Sequence, residues 1–293
     1  MASSKMTIIT PKTEKGRLKL EQEFLEAVIE GNIDVVKECL KKGVDPNFIS
    51  EENLSALHIV SETGHRQMAQ VLLDAPGINL NIMSDMDMTP LMIASFYSTR
   101  GILQELLKRG ADPNFPNKNG NRALHYACMN SDMKIVFDLV THGANVKVRN
   151  VFDVTPLTIA AIDRHSPVIT RYLLRKGAHQ KASKEFPLLL ECALACSDEE
   201  RLDIFKSLIK HGLEINQVHP LEERNCLHYV AMTGYEPLAA YLLSAGINHQ
   251  QEDATGRTPL QIAADHRHLG IVKLIRGWQK KKVNFVDLAT EIK

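Results

Sequence analysis

Thr89-Pro90-Leu91-Met92-Ile93-Ala94 is a stretch of six residues that returns in related forms along this chain of 293 residues. The residue shared by all copies is the leucine, which recurs as Leu57, Leu91, Leu124, Leu157, Leu227 and Leu260, with a degenerate copy at Leu190. Successive leucines are 34, 33, 33, 33, 37 and 33 residues apart. This period predicts an array of small structural units.

A second series of residues has the same period. Glycines follow a leucine-rich segment in each unit, as Gly43, Gly77, Gly110, Gly143, Gly177, Gly212 and Gly246. Glycine commonly ends a helix because it adopts the left-handed conformation without a steric penalty. The two series therefore indicate that a helix ends at one fixed point in every unit.

The unit that begins at Thr89 shows how local chemistry predicts its structure. Thr89 can cap a helix with its hydroxyl group, and Pro90 suits the first helical position because its missing N–H is not needed there. Leu103, Leu106 and Leu107 form the apolar face of a second helix, which Gly110 ends. The unit is predicted to be helix, turn, helix and hairpin-like loop.

The repeated stretch resembles the Thr-Pro-Leu-His-x-Ala signature of the ankyrin repeats, a family with a 33-residue unit. The resemblance covers residues 20–279 and implies an all-α solenoid of stacked helix-turn-helix units with hairpin-like loops. We predict a flexible N-terminal segment over 1–19, a C-terminal tail over 280–293 and, between them, repeats over 20–49, 50–83, 84–116, 117–149, 150–182, 183–219, 220–252 and 253–279.

The repeat over 183–219 departs from the pattern. Between Leu190 and Gly212 it is three residues longer than the repeat that follows it, with Asp198-Glu199-Glu200 filling the extra turn, and it is one residue longer before Leu227. One interpretation is a tolerated loop insertion, and the other is a recognition loop.

Composition restricts the partners and the compartment. The chain has 35 basic and 35 acidic residues, so no net charge attracts it to nucleic acid or to an anionic membrane. Its apolar runs are too short to insert into a bilayer, and its five cysteines do not suggest a disulfide framework. We predict an intracellular protein, cytoplasmic and/or nuclear, that is monomeric on its own.

The sequence contains no motif that predicts catalysis. It lacks a Gly-x-Ser-x-Gly elbow, a phosphate-binding loop and a His-Glu-x-x-His motif, so we predict a protein that is not an enzyme and has no cofactor or metal. Cys192 and Cys196 are interpreted as packing residues. His58, His125 and His228 occupy one repeat position, and the resemblance implies that they hydrogen-bond neighbouring backbone.

The resemblance also implies that protein partners bind to the concave face of the first helices and to the loop tips. Five positions after each leucine stand Glu62, Phe96, Met129, Ile162, Ala195, Met232 and Asp265, of which the middle members are apolar. We predict that the partner-binding residues are Phe96, Tyr97, Met129 and Ile162 on the helices and Met86, Phe115 and Phe152 on the loop tips. The alternative is that these side chains only fill the space between adjacent helices.

These features predict a non-catalytic interaction scaffold or adaptor whose partner the sequence does not identify. The alternative is a regulatory or inhibitory subunit of a signalling, transcription-factor or ubiquitin-ligase complex. The resemblance further implies a possible asparagine hydroxylation at Asn216, which has Leu208 eight residues earlier and Glu214 just before it. An unmodified turn asparagine is the alternative.

Overall fold

The computed structural model describes residues 14–51, 53–178 and 187–291, with side chains described between residues 16 and 280 of those ranges. Regular structure in these ranges is helical, and the only β contacts there are two isolated bridges, Ile49 to Ser55 and Val218 to Asn225. The all-α architecture predicted from the repeats is therefore confirmed.

The residues of the chain group in space into two compact units, Met1–Pro156 and Leu157–Lys293. The first unit contains α1 (Glu14–Glu30), α2 (Ile33–Lys41), α3 (Ala56–Thr63), α4 (Arg66–Leu73), α5 (Pro90–Phe96), α6 (Arg100–Lys108), α7 (Ala123–Met129) and α8 (Met133–Thr141). At the boundary, α9 (Pro156–Thr158) begins. The second unit continues with a π-helical turn (Ile159–Asp163), α10 (Pro167–Arg175), α11 (Leu188–Ala195), α12 (Glu199–Lys210), α13 (Cys226–Thr233), α14 (Glu236–Ser244), α15 (Pro259–Asp265) and α16 (Leu269–Glu291).

Each unit consists of helix pairs arranged in two layers. In the first unit the first helices of the pairs, α1, α3, α5 and α7, contact one another in order, and the second helices, α2, α4, α6 and α8, do the same. In the second unit α11, α13 and α15 form the corresponding layer of first helices. Each first helix also contacts the second helix that follows it, so every pair is buried by its neighbours.

The capping signals act as the sequence predicts. The Thr89 side chain accepts a hydrogen bond from the Met92 N–H at 3.3 Å, and Pro90 is the first residue of α5. Gly110 has a φ angle of +91°, the left-handed conformation expected after α6. Leu91 and Ala94 are both buried, and the small Ala94 side chain lets the neighbouring first helices approach closely.

Three histidines connect neighbouring repeats through the backbone. The Nδ1 atom of His125 accepts a hydrogen bond from the Arg122 N–H at 3.0 Å, and its Nε2 atom is 3.3 Å from the carbonyl oxygen of Val154 in the next loop. His58 and His228 make the same pair of contacts, with the carbonyl oxygens of Met88 and Arg257 in place of that of Val154, so the predicted backbone hydrogen bonds are confirmed. Burial lowers the pKa of all three rings, that of His125 to about 4.

Helices extend into both predicted terminal segments. The first helix begins at Glu14, so residues 14–19 of the predicted flexible segment are helical, whereas residues 1–13 lie outside the described part. At the other end α16 continues to Glu291, through most of the predicted tail over 280–293. The tail is thus an extension of the second helix of the last pair.

Between Leu190 and Gly212 the long repeat over 183–219 has a longer helix, and one further residue lies between Gly212 and Leu227. Its second helix has 12 residues, against nine in α6 and α8, and Asp198 caps it by accepting the Arg201 N–H at 2.9 Å. Glu199 and Glu200 form its first turn, where their charges favour the positive end of the helix dipole. Both loop interpretations of Asp198-Glu199-Glu200 are therefore wrong. Residues 179–186 lie outside the described part of the chain.

The repeat over 150–182 contains an irregularity that the sequence analysis did not identify. It has one more residue between Leu157 and the helix-capping Ser166 than the preceding repeats have at this point. A π-helical turn over Ile159–Asp163 accommodates the added residue, with the Ser166 N–H bonded to the Ala160 carbonyl oxygen at 2.8 Å.

Gly120 is expected to tolerate alanine worse than Gly256 does. Both have left-handed φ angles, +72° and +78°, so each Gly→Ala change costs about 1 kcal/mol of backbone strain. At Gly120 a Cβ atom would also lie 3.1 Å from the Asn150 Cα atom, whereas nothing lies within 4 Å at Gly256. Overpacking should add about 1–2 kcal/mol at Gly120 alone. Urea denaturation of both variants measures the difference, and equal losses would show that the loop relaxes freely.

Candidate partner-binding surface

The hairpin loops between helix pairs are held by short polar side chains. Asn117 accepts the Asn121 N–H at 2.8 Å, and Asn150 accepts the N–H groups of Phe152 and Val154 at 2.9 Å each. Asp153 then has a φ angle of +60° at the tight point of its turn. These bonds fix the backbone of each tip, so the tip side chains project from a defined support.

Neighbouring tips in the first unit are also bonded to each other. The Asp87 carboxylate accepts the Lys118 N–H in a short hydrogen bond, and the Asn119 carbonyl oxygen accepts the Val151 N–H at 2.9 Å. Large apolar side chains on these tips are exposed: Met86 by 60% and Phe152 by 71%. Exposed apolar side chains on a row of hydrogen-bonded tips are typical of a surface that contacts another molecule.

Three aromatic rings on α5 and α7 form one cluster. The Phe96 ring makes edge-to-face contacts with the Tyr97 ring, at a centroid distance of 5.2 Å, and with the Tyr126 ring, at 6.2 Å. Phe96 ends α5, Tyr97 follows it, and Tyr126 lies in the first part of α7. Phe96 and Tyr97 remain 42% and 45% exposed. We call Phe96, Tyr97 and Tyr126 the aromatic cluster.

A carboxylate lies at each end of the aromatic cluster. Glu62, the next-to-last residue of α3, is near the Tyr97 hydroxyl group, and this carboxylate raises the pKa of Tyr97. At the other end the Tyr126 hydroxyl oxygen accepts the Asn117 side-chain N–H at 3.1 Å. Burial raises the pKa of Tyr126, and the charge of nearby Asp87 adds to this effect. Glu62 is therefore near Tyr97, Phe96 contacts both tyrosines, and Asp87 is near Tyr126.

The remaining predicted binding residues are less exposed. Met129, at the end of α7, Phe115, in a hairpin loop, and Ile162, in the π-helical turn, are each half-buried. Ile162 belongs to the second unit, and no described contact joins Met129 to the aromatic cluster. For Met129 and Ile162 the space-filling alternative therefore stays open, whereas the exposure of Phe96 and Tyr97 favours the binding interpretation.

Sequence reasoning missed Tyr126. It compared the fifth and sixth positions after each leucine, but Tyr126 is two positions after Leu124, a place held by the buried Ile93 in the preceding repeat. The available signal was the aromatic residue in Leu124-His125-Tyr126. Its contact with Phe96 depends on the packing of α5 against α7, which the register alone does not reveal.

Asn216 is exposed on a loop of the second unit. Its side-chain oxygen accepts the Asn248 N–H of the next repeat at 2.8 Å. Asn114 makes the same kind of bond to the Asn145 N–H at 2.8 Å, so this contact is a recurring connection between repeats. Hydroxylation of Asn216 stays a prediction.

The described residues offer no arrangement suited to metal binding or thiol chemistry. No group of three or more His, Cys, Asp or Glu side chains in the described part could hold a metal ion. Cys128, Cys192 and Cys226 are buried, and burial raises the pKa of each thiol, which keeps it protonated and unreactive. No helix in this part of the chain is long and apolar enough to cross a bilayer.

Comparison with known proteins identifies the family. A family profile described as "Ankyrin repeats (3 copies)" matches residues 24–117, 96–184, 124–219 and 192–287. These overlapping matches cover most of the chain, which belongs to the ankyrin repeat family. Ankyrin repeats are generally protein-interaction modules, and their stacked units provide extended binding surfaces.

Each of the individual relatives resembles this chain over only part of its own length. The human transient receptor potential cation channel subfamily A member 1 is 24% identical over 257 residues, 85% of this chain and 23% of the relative. Mouse Rabankyrin-5 is 32% identical over 149 residues, 50% of this chain and 13% of the relative. A putative ankyrin repeat-containing protein of Treponema pallidum is 32% identical over 133 residues, 45% of this chain and 44% of the relative. The chain thus spans less than half the length of each of them.

Proposed function

We propose that this protein is a non-catalytic scaffold or adaptor that holds a partner protein on its first helices and hairpin tips. The observation that supports this function best is the exposure of the aromatic cluster. Phe96 and Tyr97 expose more than two fifths of their surface, whereas Leu91 and Met92 of the same helix, α5, are buried.

Burial of these rings by a partner would stabilise a complex. Exposed large aromatic side chains on a rigid support are typical centres of binding energy, because they remove much apolar area from water and lose little conformational entropy. Met86 and Phe152 on the tips would extend the contact, and the thioether of Met86 adapts to irregular surfaces. The tip-to-tip hydrogen bonds keep these side chains in place before the partner arrives.

Replacing Phe96 with arginine is expected to reduce partner capture at least tenfold, because a charge would be buried where an apolar ring was. The full chain is immobilised, and proteins captured from a lysate are measured by mass spectrometry. A double variant with Ile162→Arg tests whether the second unit contributes.

Phe137→Arg is the matched control, since Phe137 lies on a second helix and is 47% exposed. It should capture the same proteins as the unmodified chain. Circular dichroism establishes that the variants remain helical. Undiminished capture by folded Phe96→Arg would refute the proposed surface.

A further inference from the structure

We propose that the aromatic cluster and Glu62 bind a lysine or arginine side chain presented by a peptide segment of the partner. This inference rests on the proposed function and adds the chemistry of the group that is recognised. The juxtaposition of exposed rings with a carboxylate at the Tyr97 end supports it.

The rings offer faces that attract a cation. An aromatic face carries partial negative charge, and in an edge-to-face pair both faces of the edge-on ring stay uncovered by its partner ring. Phe96 takes part in two such pairs, with interplanar angles of 85° and 88°, and Phe96 and Tyr97 remain over 40% exposed. A guanidinium or ammonium group attracted to these rings would meet them at the exposed surface of Phe96 and Tyr97.

Glu62 gives this surface its charge preference. Its side chain is exposed and forms no ion pair with a cationic side chain of the described residues, and it stands at the same repeat position as Phe96 on α3, the helix that packs against α5. At the other end of the cluster Asp87 already has Lys118, whose Nζ atom is 3.5 Å from the carboxylate. The uncompensated charge is thus at the Glu62 end, beside Tyr97 and Phe96.

A basic side chain matches both features at once. Its methylene groups would cover the rings, while its charged end pairs with Glu62 and replaces water there. A neutral apolar side chain would bury the rings but would leave the carboxylate partly desolvated without a partner, which is unfavourable. An acidic side chain would be repelled.

The test is selection of a phage-displayed library of random peptides on the immobilised full chain. Selected peptides are synthesised, and their dissociation constants are measured by fluorescence anisotropy. We expect enrichment of lysine or arginine over the unselected library. For the selected peptides, Glu62→Gln should weaken binding about threefold to tenfold and Phe96→Ala about tenfold or more. Added salt should weaken binding to the unmodified chain more than to Glu62→Gln.

The controls separate this inference from the proposed function. Phe137→Ala removes an exposed aromatic ring elsewhere and should bind the peptides normally. If the selected peptides are neutral, require Phe96 and are insensitive to Glu62→Gln, the surface binds partners but the basic-residue inference is wrong. If no selected peptide depends on Phe96, or none is enriched, both proposals are wrong for this surface.

Discussion

This protein is expected to lose stability between about pH 7 and pH 4, and replacing His125 with glutamine should make that loss smaller by about 3 kcal/mol. The cause is the buried ring of His125, whose pKa falls from 6.5 to about 4 because burial disfavours the charged form. Its Nδ1 atom accepts the Arg122 N–H, so only the neutral ring fits the folded protein.

The direction of the pH effect follows from this lowered pKa. Above about pH 6.5 the ring is neutral in both the folded and the unfolded chain, and its contribution to stability is complete. As the pH falls toward 4, the unfolded chain binds a proton at this site before the folded chain does. The contribution of His125 to the free energy of unfolding therefore decreases through this window and changes no further below it.

Glutamine is a suitable replacement because the chain already uses it. In the last repeat Gln261 occupies the position of His125, and its side-chain oxygen accepts the Thr258 N–H at 2.7 Å. His125→Gln should thus keep the capping bond and remove the proton-binding ring. Urea denaturation followed by circular dichroism at several pH values measures the change.

The exposed His142 provides the control for this experiment. His142→Gln makes the same substitution at an exposed position of the same unit, so it controls for the loss of a histidine as such. His58 and His228 still contribute acid sensitivity in every variant, since burial lowers their pKa values as well. A slope that His125→Gln does not change would contradict the assignment of the neutral ring to the folded state.

Asp253→Ala is expected to cost about 3–5 kcal/mol of stability, as removal of one partner from a buried charge network does elsewhere. The Asp253 side chain is 1% exposed and accepts the N–H groups of Thr255 and Arg257 at 2.9 and 3.0 Å and the Arg224 Nε–H at 3.3 Å. Burial alone would raise its pKa, but these hydrogen bonds outweigh burial and hold the pKa well below its usual range. Alanine would remove the buried acceptor and leave the partly buried Arg224 guanidinium without this carboxylate partner.

Asp253→Asn distinguishes the hydrogen bonds from the charge. The amide oxygen can still accept the Thr255 and Arg257 N–H groups, so we expect a loss of about 1–2 kcal/mol. Urea denaturation at neutral pH compares the two variants. Equal losses would mean that the loop hydrogen bonds contribute little, and that the ion pair with Arg224 carries the effect. Because the pKa of Asp253 is lowered, its own pH dependence lies below about pH 4, outside the window used for His125.

Local signals explain why so much of the fold was predictable. Thr89 and Thr258 cap helices, Pro90 begins one, and Gly110 follows the end of another, and each of these roles depends on a few neighbouring backbone groups. Repetition of such signals at one period determines the helix pairs. The histidine contacts were predictable for the same reason, because His58, His125 and His228 share one repeat position.

The candidate site was predictable only in part. The register identified Phe96 and Tyr97 as exposed apolar residues, which the structure places together, but it did not identify Tyr126 as their neighbour. It gave the same weight to Met129 and Ile162, which are half-buried. Exposure depends on how closely adjacent helices approach, and one sequence does not contain that distance.

The sequence by itself determined that this protein is an all-α ankyrin repeat array, because each repeat contains its own helix starts and stops. The tertiary structure decided which helices hold the residues that are added to the regular repeat. The added residue before Ser166 enters a π-helical turn, in which the Ser166 N–H bonds to the Ala160 carbonyl oxygen, and Asp198-Glu199-Glu200 cap and begin a longer α12. Packing of α3, α5 and α7 also placed Glu62 beside Tyr97 and Tyr126 beside Phe96. These side chains are 30 or so residues apart in sequence, so only the stacking of repeats brings them together.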